Sequence, residues 1–311
     1  MNRSLALHLG LLVLLLALQF ILPAYHHGVL ARVMVMATYA MGYNIMFGYT
    51  GLLSLGHAMF FAAGMYGMGM SVQLWDFSAG SAFLMGIVAA FALSLVVGLL
   101  ALRTLGVAFM IVTLMFSQTV YLTILYFNPI TRGDEGFVIA QGTRQIAGLD
   151  LSDDTTRYFA ALVLFSVTLI AILRLVRSPT GRILIAIREN EPRAQMLGYD
   201  TWRNKLLAIL ASGTVAGAAG AAYGILFGYV GASFAQVPYS IFPLLWVLLG
   251  GAGTVIGPFI GTLLMFYLID LSSSVTDAYM LVAGVVLVML TLYARNGLMG
   301  IVRERWLKWL P

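Results

Sequence analysis

A few polar residues could do chemistry in a chain that is otherwise apolar. His57 follows Ser54 by three residues, which would suit a serine nucleophile with a histidine base in a membrane-embedded hydrolase. No carboxylate is placed to complete such a triad, so we expect His57 to be a packed residue with an internal hydrogen bond. The four histidines lack metal-ligand spacing, and no metal site or catalytic residue is predicted.

Asp270 is the one carboxylate well inside an apolar segment. An ionised aspartate at mid-membrane costs about 2.5 to 3.5 kcal/mol on insertion scales, so this side chain must face protein or water. It could be the proton site of a secondary transporter. We expect instead a hydrogen-bonded packing residue, since a single acid about two turns from the outer end of a span is more often structural.

The largest group of polar residues is the charged segment 178–205. Ser178 can cap a helix that begins at Pro179, which predicts a helix over 179–189. Asn190 offers a second cap for a short helix of about seven residues, roughly 10 Å long, and Gly198 suits a left-handed helix end. An ordinary arginine-rich loop would not need two caps, so the pattern favours a docking element.

The elements around these residues are membrane spans. The chain is 61% hydrophobic and only 9% charged, which excludes a soluble globular domain. A bilayer-spanning helix needs roughly 20 apolar residues. Ten segments meet this requirement, namely 5–22, 29–47, 57–74, 80–102, 105–127, 158–177, 206–228, 240–256, 258–276 and 278–294. The first could be a signal peptide, but no small-residue cleavage site is evident before Tyr25, so we predict a first span.

The distribution of basic residues sets the orientation. With the N-terminus inside, thirteen of the seventeen Lys and Arg residues fall in cytoplasmic segments, as the positive-inside rule requires for ten spans. Both termini and 178–205 are then cytoplasmic, and 128–157 forms the outer loop. The sequence predicts a single transmembrane domain over 1–311 that is all-α, and its basic pI needs no nucleic acid. Without cysteine, the chain gives no redox clue to compartment.

A short motif occurs twice. Gly-Tyr-Thr-Gly at 48–51 follows the second predicted span, and Gly-Tyr-Val-Gly at 228–231 follows the seventh. Five spans per half would make the halves inverted, an architecture that many transporters use around a central pathway; chance similarity is the alternative. The glycines of 48–57 predict an unwound or re-entrant segment that faces protein or a cavity. The later glycines are predicted to pack helices together.

Four stretches carry a family resemblance. They are GRILIAIRENE at 181–191, continued by Ala194 through Gly198; GYTGLLSLGHAMFF at 48–61; TRGDEG at 131–136; and GGAGTVIGP at 250–258. Their order and content resemble the LivM-type branch of the branched-chain amino acid permease family of bacterial ATP-binding-cassette (ABC) importers. Two residues depart from the family pattern: Arg132 stands where glycine is usual, and Pro192 interrupts the charged segment.

The resemblance implies a transport subunit for a branched-chain or related hydrophobic amino acid in the bacterial inner membrane. It implies a sister permease, two cytoplasmic ATPases that bind ATP and Mg, and a periplasmic binding protein. The chain itself has no phosphate-binding loop motif. Permeases for urea, amides or aromatic acids share the pattern, so the substrate stays open.

Site residues follow from the same resemblance. Those that would couple to the ATPases are Gly181, Arg182, Ala186, Arg188, Glu189, Asn190, Glu191, Ala194, Leu197 and Gly198. Those that would border the translocation pathway are Thr50, Gly51, Ser54, Gly56, His57, Thr131, Arg132 and Gly133.

Overall fold

The computed structural model describes residues 3–146, 148–274 and 297–306, together with 276, 278, 281, 284–286, 288 and 289. The described chain is almost entirely helical. Its helices are α1 Arg3–Ile21, α2 Ala24–Asn44, α3 Ala58–Trp75, α4 Ala79–Ala101, α5 Val107–Tyr126, α6 Asn128–Thr131, α7 Asp154–Arg177, α8 Pro179–Glu189, α9 Glu191–Met196, α10 Thr201–Phe227, α11 Val237–Gly250, α12 Gly257–Ser273 and α13 Gly297–Arg305.

Short elements join these helices. A π-helical turn, Ile45–Tyr49, extends α2, and 3-10 turns lie at Gln141–Thr143 and Ala232–Ala235. Four two-residue strands form two antiparallel pairs: β1 (Phe137–Val138) with β4 (Tyr229–Val230), and β2 (Gln145–Ile146) with β3 (Leu149–Asp150). In the first pair Phe137 lies opposite Val230.

Long apolar helices make this a multi-pass membrane protein. Five helical segments of the described chain are long and apolar enough to span a bilayer: Tyr25–Tyr49, Ala79–Ala101, Val107–Tyr126, Asp154–Arg177 and Thr201–Phe227. Leu5–Ile21, Val237–Gly250 and Gly257–Ser273 are shorter apolar helices. Each of the first nine predicted spans overlaps one helix, whereas 278–294 lies largely outside the described residues. The count of ten and the inverted repeat stay predictions.

Small residues bring α3, α4 and α10 into close contact, as the glycine pattern predicts. A Cβ added to Gly217 of α10 would lie 2.0 Å from Cβ of Ala90, and one added to Gly220 would lie 2.0 Å from the Phe61 carbonyl oxygen. Gly64 and Gly213 are similarly enclosed. Gly228, predicted to belong to the same packing face, instead ends α10 with a φ of 72°. The core therefore depends on backbones that approach closely.

The molecule has two ends, which we name from their elements. The α8–α9 end contains the segment 178–200 and the start of α10. The 27 residues of α10 rise about 40 Å to the β1–β4 end, where β4 pairs with a strand of the loop that precedes α7. The segments 178–205 and 128–157 therefore lie at opposite ends of the helical body.

Candidate functional site

Two capped helices form the charged segment, as its sequence predicts. The Ser178 hydroxyl accepts a hydrogen bond from the Gly181 amide at 3.2 Å and begins α8, with proline in its first turn. The Asn190 side-chain oxygen accepts from the Arg193 amide at 2.9 Å and begins α9, where Pro192 occupies the first turn. Gly198 follows α9 with a φ of 85°. Only the length differs, since α9 has six residues.

One face of α8 packs against the helical body, whereas most residues of α9 are exposed. Gly181, Leu184 and Ile187 are buried, and a Cβ on Gly181 would lie 2.2 Å from the Leu175 carbonyl oxygen. The outermost apolar residues are Met196 and Leu197, which are 86% and 70% exposed. Of the remaining predicted coupling residues, Ala194 is buried, Ala186 and Glu191 are half-buried, and Arg182, Arg188, Glu189, Asn190 and Gly198 are exposed.

Arg188 turns back toward its own chain. Its Nη1 donates a hydrogen bond to the carbonyl oxygen of Gly48, in the π-helical turn after α2. Its aliphatic stem lies against Gly51, where an added Cβ would meet Arg188 Cγ at 3.1 Å. The sequence placed Arg188 at a contact with a partner; the structure shows that its guanidinium joins the α8–α9 segment to the end of α2.

The glycine-rich turn 250–258 also contacts the end of α2. Asn44, at the end of α2, donates to the Thr254 carbonyl at 2.9 Å and accepts from the Gly253 amide at 3.0 Å. A Cβ on Gly48 would lie 2.6 Å from that same amide nitrogen. Arg303 of α13 donates to the Gly253 carbonyl at 3.3 Å. Three of the four sequence motifs therefore converge at the α8–α9 end. Asn44 joins the glycine-rich turn to the end of α2 through two hydrogen bonds, which the sequence did not reveal.

Lys205 is a second residue that sequence reasoning missed. It lies in the first turns of α10, and its side chain, only 6% exposed, forms an ion pair with Glu191 of α9. A lysine at the start of an apolar helix requires a partner, because a buried ammonium group without one is costly. That requirement could have pointed to the acidic residues of the charged segment.

A cavity of about 470 Å³ opens between these elements. Both groups of predicted residues contribute to its wall, which includes Thr50, Gly51, Arg188, Glu189, Asn190 and Glu191. The opposite wall is the start of α5 and the turn before it, residues 104–107, 109 and 110. The coupling residues and the first part of the predicted pathway therefore share one cavity.

The segment 50–57 is unwound, as its glycines predict, and connects α2 to α3. Side chains of neighbouring helices bond two backbone groups of this segment and the first amide of α3. The Ser54 carbonyl accepts from Tyr43 Oη at 2.9 Å, the Leu55 amide donates to Thr113 Oγ1 at 3.3 Å, and the Ala58 amide donates to Ser240 Oγ at 3.0 Å. Non-helical backbone at membrane depth is stable only with such partners.

His57 does not make the hydrogen bond that the sequence led us to expect. Its ring is fully buried against Tyr39, Tyr43 and Phe60, with ring centroids 5.0 to 5.5 Å apart. Neither ring nitrogen has a hydrogen-bond partner among the described residues. Ser54 Oγ instead accepts from the Gly56 amide. With no Ser–His hydrogen bond in this part of the chain, the geometry does not support a hydrolase.

Thr131, Arg132 and Gly133 form a tight turn at the β1–β4 end. Thr131 Oγ1 donates to the Ile124 carbonyl at 2.6 Å and accepts from the Gly133 amide at 3.2 Å. Arg132 has a φ of 61°, a conformation that favours the glycine usual in the family. Thr113 accepts from the Leu55 amide, and about 20 Å of α5 separates Thr113 from this turn. The structure therefore does not bring the predicted pathway residues of 50–57 and those of 131–133 together.

Arg144 fastens the same loop to α10. Its Nε donates to the Ile225 carbonyl at 2.7 Å and its Nη2 to the Leu226 carbonyl at 2.8 Å. Burial lowers the pKa of the Arg144 guanidinium from its ordinary value, although an arginine keeps its charge. Hydrogen bonds from Ser152 and Gln141 lower the pKa of the Asp150 carboxyl in the same loop. Sequence reasoning missed this anchor.

Asp270 lies near the end of α12, at the β1–β4 end. Its Oδ1 accepts a hydrogen bond from Tyr25 Oη at 2.6 Å, and its side chain is partly exposed to a cavity. Among the described residues it has no ion-pair partner. The predicted hydrogen bond is confirmed, and Asp270 lies three residues before α12 ends at Ser273.

Comparison with known proteins agrees with these motifs. Residues 26–291 match the family described as branched-chain amino acid transport system / permease component. The chain is 28% identical to the high-affinity branched-chain amino acid transport system permease proteins LivM of Salmonella typhimurium and Escherichia coli, over 96% and 95% of this chain and 75% of each relative. It is 33% identical to a probable LivM of Methanocaldococcus jannaschii over 34% of this chain and 31% of that relative.

No solved structure matches the chain. The family match covers α2 through α12, and therefore includes the α8–α9 segment, the unwound segment 50–57 and the glycine-rich turn. The relatives named above are permease proteins of transport systems. This chain thus belongs to the branched-chain amino acid transport system permease family.

Proposed function

We propose that this chain is the permease subunit of an ABC importer, in which partner subunits hydrolyse ATP and this chain forms part of the solute path. One observation supports it most: the α8–α9 segment is bonded to the end of α2 through Arg188 and to α10 through Glu191 and Lys205. A displacement of this segment would move both helices and change the cavity that they border.

The docking surface for the ATPases is proposed to be α9 and the residues that flank it. Met196 and Leu197 are exposed apolar residues beside exposed arginines and acids, as expected of a protein interface. An isolated helix of six residues is marginal in water. Its Asn190 cap, the left-handed Gly198 that follows it and its ion pair to α10 would therefore keep its shape under load.

The proposed substrate is a branched-chain or related hydrophobic amino acid. The names of the relatives support this choice, while urea, amides and aromatic acids are the alternatives within the same transport class. We propose that a periplasmic protein delivers the solute, that a sister permease completes the path as a heterodimer, and that two ATPase subunits bind ATP and Mg. Identification of the ligand that the cognate binding protein carries would decide between these substrates.

The proposed location of this protein is the bacterial inner membrane, with both termini and the α8–α9 end in the cytoplasm. The chain has no cysteine, so single cysteines report sidedness cleanly. Asp153→Cys should react with an impermeant maleimide from outside, and Gln195→Cys only after permeabilisation. Labelling of both from one side would overturn this orientation.

Coupling can be tested at Gly198, whose left-handed backbone has open space around it. A β-branched valine is strained in that conformation, whereas asparagine tolerates it. In liposomes that contain the whole importer, Gly198→Val should reduce ATP hydrolysis stimulated by loaded binding protein, together with leucine uptake. Gly198→Asn is the matched control and should behave like the parent. Parental activity in Gly198→Val would overturn the coupling role.

The secondary-transporter alternative differs in its energy source. Uptake should require ATP on the side of the ATPases and should survive a protonophore. Uptake without ATP that stops when the proton gradient collapses would favour the proton-coupled alternative.

A further inference from the structure

A second cavity, of about 460 Å³, lies at the β1–β4 end between α2, α7, α10 and α12. Its volume is within the range of small-molecule sites. Two arginines, Arg32 and Arg157, line it together with one carboxylate, Asp270, and several apolar residues. It lies at the opposite end of α2 and α12 from the 470 Å³ cavity, so the two are separate.

The two arginines of this cavity differ in what they already bind. Arg157 is mostly occupied, because Nη1 donates to Asp154 at 2.8 Å and Nη2 to the Ser152 carbonyl at 2.7 Å, and only its Nε lacks a hydrogen-bond partner among the described residues. Arg32 has no hydrogen bond or ion pair to any described residue; its guanidinium carbon lies 5.2 Å from the centre of the Phe227 ring. Arg32 is therefore the cation available to a ligand.

Asp270 provides the opposite charge. Its Oδ1 accepts from Tyr25, and Oδ2 has no hydrogen bond to a described residue. Arg32 and Asp270 line one cavity without forming an ion pair between them within the described chain. Val29, Phe227, Phe266 and Ile269 supply apolar wall. Within the described residues, the cavity thus presents an arginine without a hydrogen-bond or ion-pair partner, a carboxylate with one unpaired oxygen and an apolar surface.

We propose that this cavity binds a zwitterionic amino acid with an apolar side chain, on its way into the membrane. Arg32 would bind the carboxylate, Asp270 the ammonium group, and the apolar wall the side chain. This inference rests on the proposed transport function and narrows its substrate, because urea, simple amides and aromatic acids carry no ammonium group for Asp270.

A cysteine at the cavity tests this assignment. Ser273 lines the cavity, and Ser274 is the next residue and does not; both are exposed, and each hydroxyl bonds a backbone carbonyl three residues earlier. Single variants Ser273→Cys and Ser274→Cys would be assembled into the whole importer in phosphatidylcholine nanodiscs. Leucine should slow maleimide labelling of Ser273→Cys only.

Two compounds of the same shape as leucine isolate each charge. 4-Methylpentanoate lacks the ammonium group and 3-methylbutylamine lacks the carboxylate. Each should require a concentration at least about tenfold higher than leucine for equal protection, since a hydrogen bond to a charged group contributes at least that much. Equal protection by all three compounds would overturn the zwitterion assignment.

Variants in the Ser273→Cys background assign the roles. Arg32→Gln should weaken protection by leucine about tenfold and leave protection by 3-methylbutylamine unchanged. Asp270→Asn should also weaken protection by leucine about tenfold, but it should leave protection by 4-methylpentanoate unchanged. An unaltered labelling rate without ligand shows that each variant keeps its fold. The opposite pattern, or no effect of either variant, would overturn the assignment.

The competing occupant is the headgroup of phosphatidylethanolamine, whose primary ammonium group could donate to Asp270 as the quaternary ammonium of phosphatidylcholine cannot. If phosphatidylethanolamine slows labelling of Ser273→Cys and leucine adds nothing, the cavity is a headgroup site and the inference fails. Leucine uptake without leucine protection would also overturn the inference and leave the proposed function intact. Protection in an importer that transports no leucine would overturn the proposed substrate and support the cavity assignment.

Discussion

Arg144 and Arg188 make the same kind of contact at opposite ends of the molecule. Each reaches from a connecting segment to the carboxyl-terminal end of a long helix and donates to backbone carbonyl oxygens there. Arg144 binds the Ile225 and Leu226 carbonyls of α10, and Arg188 binds the Gly48 carbonyl after α2. A cation suits this place, because the last carbonyls of a helix lack partners and carry partial negative charge.

The two contacts differ in burial and in number of bonds. Arg144 is 9% exposed, makes two bonds and is held beside the β1–β4 pair. Arg188 is exposed, makes one described bond and borders a cavity. Water can replace the second contact far more readily than the first. The same chemistry therefore gives a permanent anchor at one end and an exchangeable contact at the end where we propose that force enters.

The largest effect is expected at the anchor. Arg144→Leu leaves two carbonyls without their charged donor and should lower the free energy of unfolding by about 3 kcal/mol. Thermal unfolding of the purified permease in detergent would measure this loss. Arg132→Leu, an exposed change in the same loop, should shift stability by less than about 0.5 kcal/mol. Equal stability of the two variants would contradict the anchoring role.

The ion pair at the α8–α9 end should respond asymmetrically. Lys205 has a side-chain exposure of 6% and Glu191 of 30%. Glu191→Gln leaves a buried ammonium unpaired and should cost about 2 kcal/mol, whereas Lys205→Met leaves a carboxylate that water can reach and should cost less than about 1 kcal/mol. Unfolding of both single variants and the double variant would measure the pair. A larger loss in Lys205→Met would contradict the burial argument.

Arg188→Leu should separate stability from coupling. Loss of one partly hydrated hydrogen bond should cost about 1 kcal/mol or less, yet stimulated ATP hydrolysis and uptake per assembled importer should fall clearly. Arg177→Leu, at the last residue of α7, is the matched control, since Arg177 is exposed, is not among the predicted coupling residues, and its side chain makes no hydrogen bond or ion pair with a described residue. If both variants couple like the parent, the exchangeable contact has no role in transport.

The smallest effect concerns Arg132. A non-glycine residue at its φ of 61° is strained, so Arg132→Gly should raise the free energy of unfolding by about 0.5 kcal/mol after the entropic cost of glycine is included. The same unfolding measurement applies. A clear loss of stability would show that the Arg132 side chain supports the turn 131–133.

Local features could be predicted from sequence, and distant contacts could not. Ser178, Asn190 and Gly198 shape the backbone within a few residues, so their types alone indicate caps and a helix end. Arg188 binds a carbonyl 140 positions earlier, and Arg144 binds carbonyls 81 and 82 positions later. Nothing in the spacing of residues indicates such partners.

His57 shows why burial alone does not predict a hydrogen bond. Its sequence context indicated a buried histidine, which the structure has, but the neighbours that surround it are aromatic rings. Which helices supply those rings depends on how α2 and α3 pack. Arg32 and Asp270 are equally hard to predict. That they line one cavity and form no ion pair within the described residues depends on tertiary structure.

The anchor at Arg144 also has a consequence for the order of biosynthesis. Its acceptor carbonyls are synthesised 81 and 82 residues after it, and at about 5 to 20 residues per second this delay is about 4 to 16 s. Until α10 has entered the membrane, the loop that precedes α7 lacks both β4 and the acceptors of its arginine. A chain that stalls before residue 225 should therefore leave this loop open to proteases, and its closure would mark the insertion of α10.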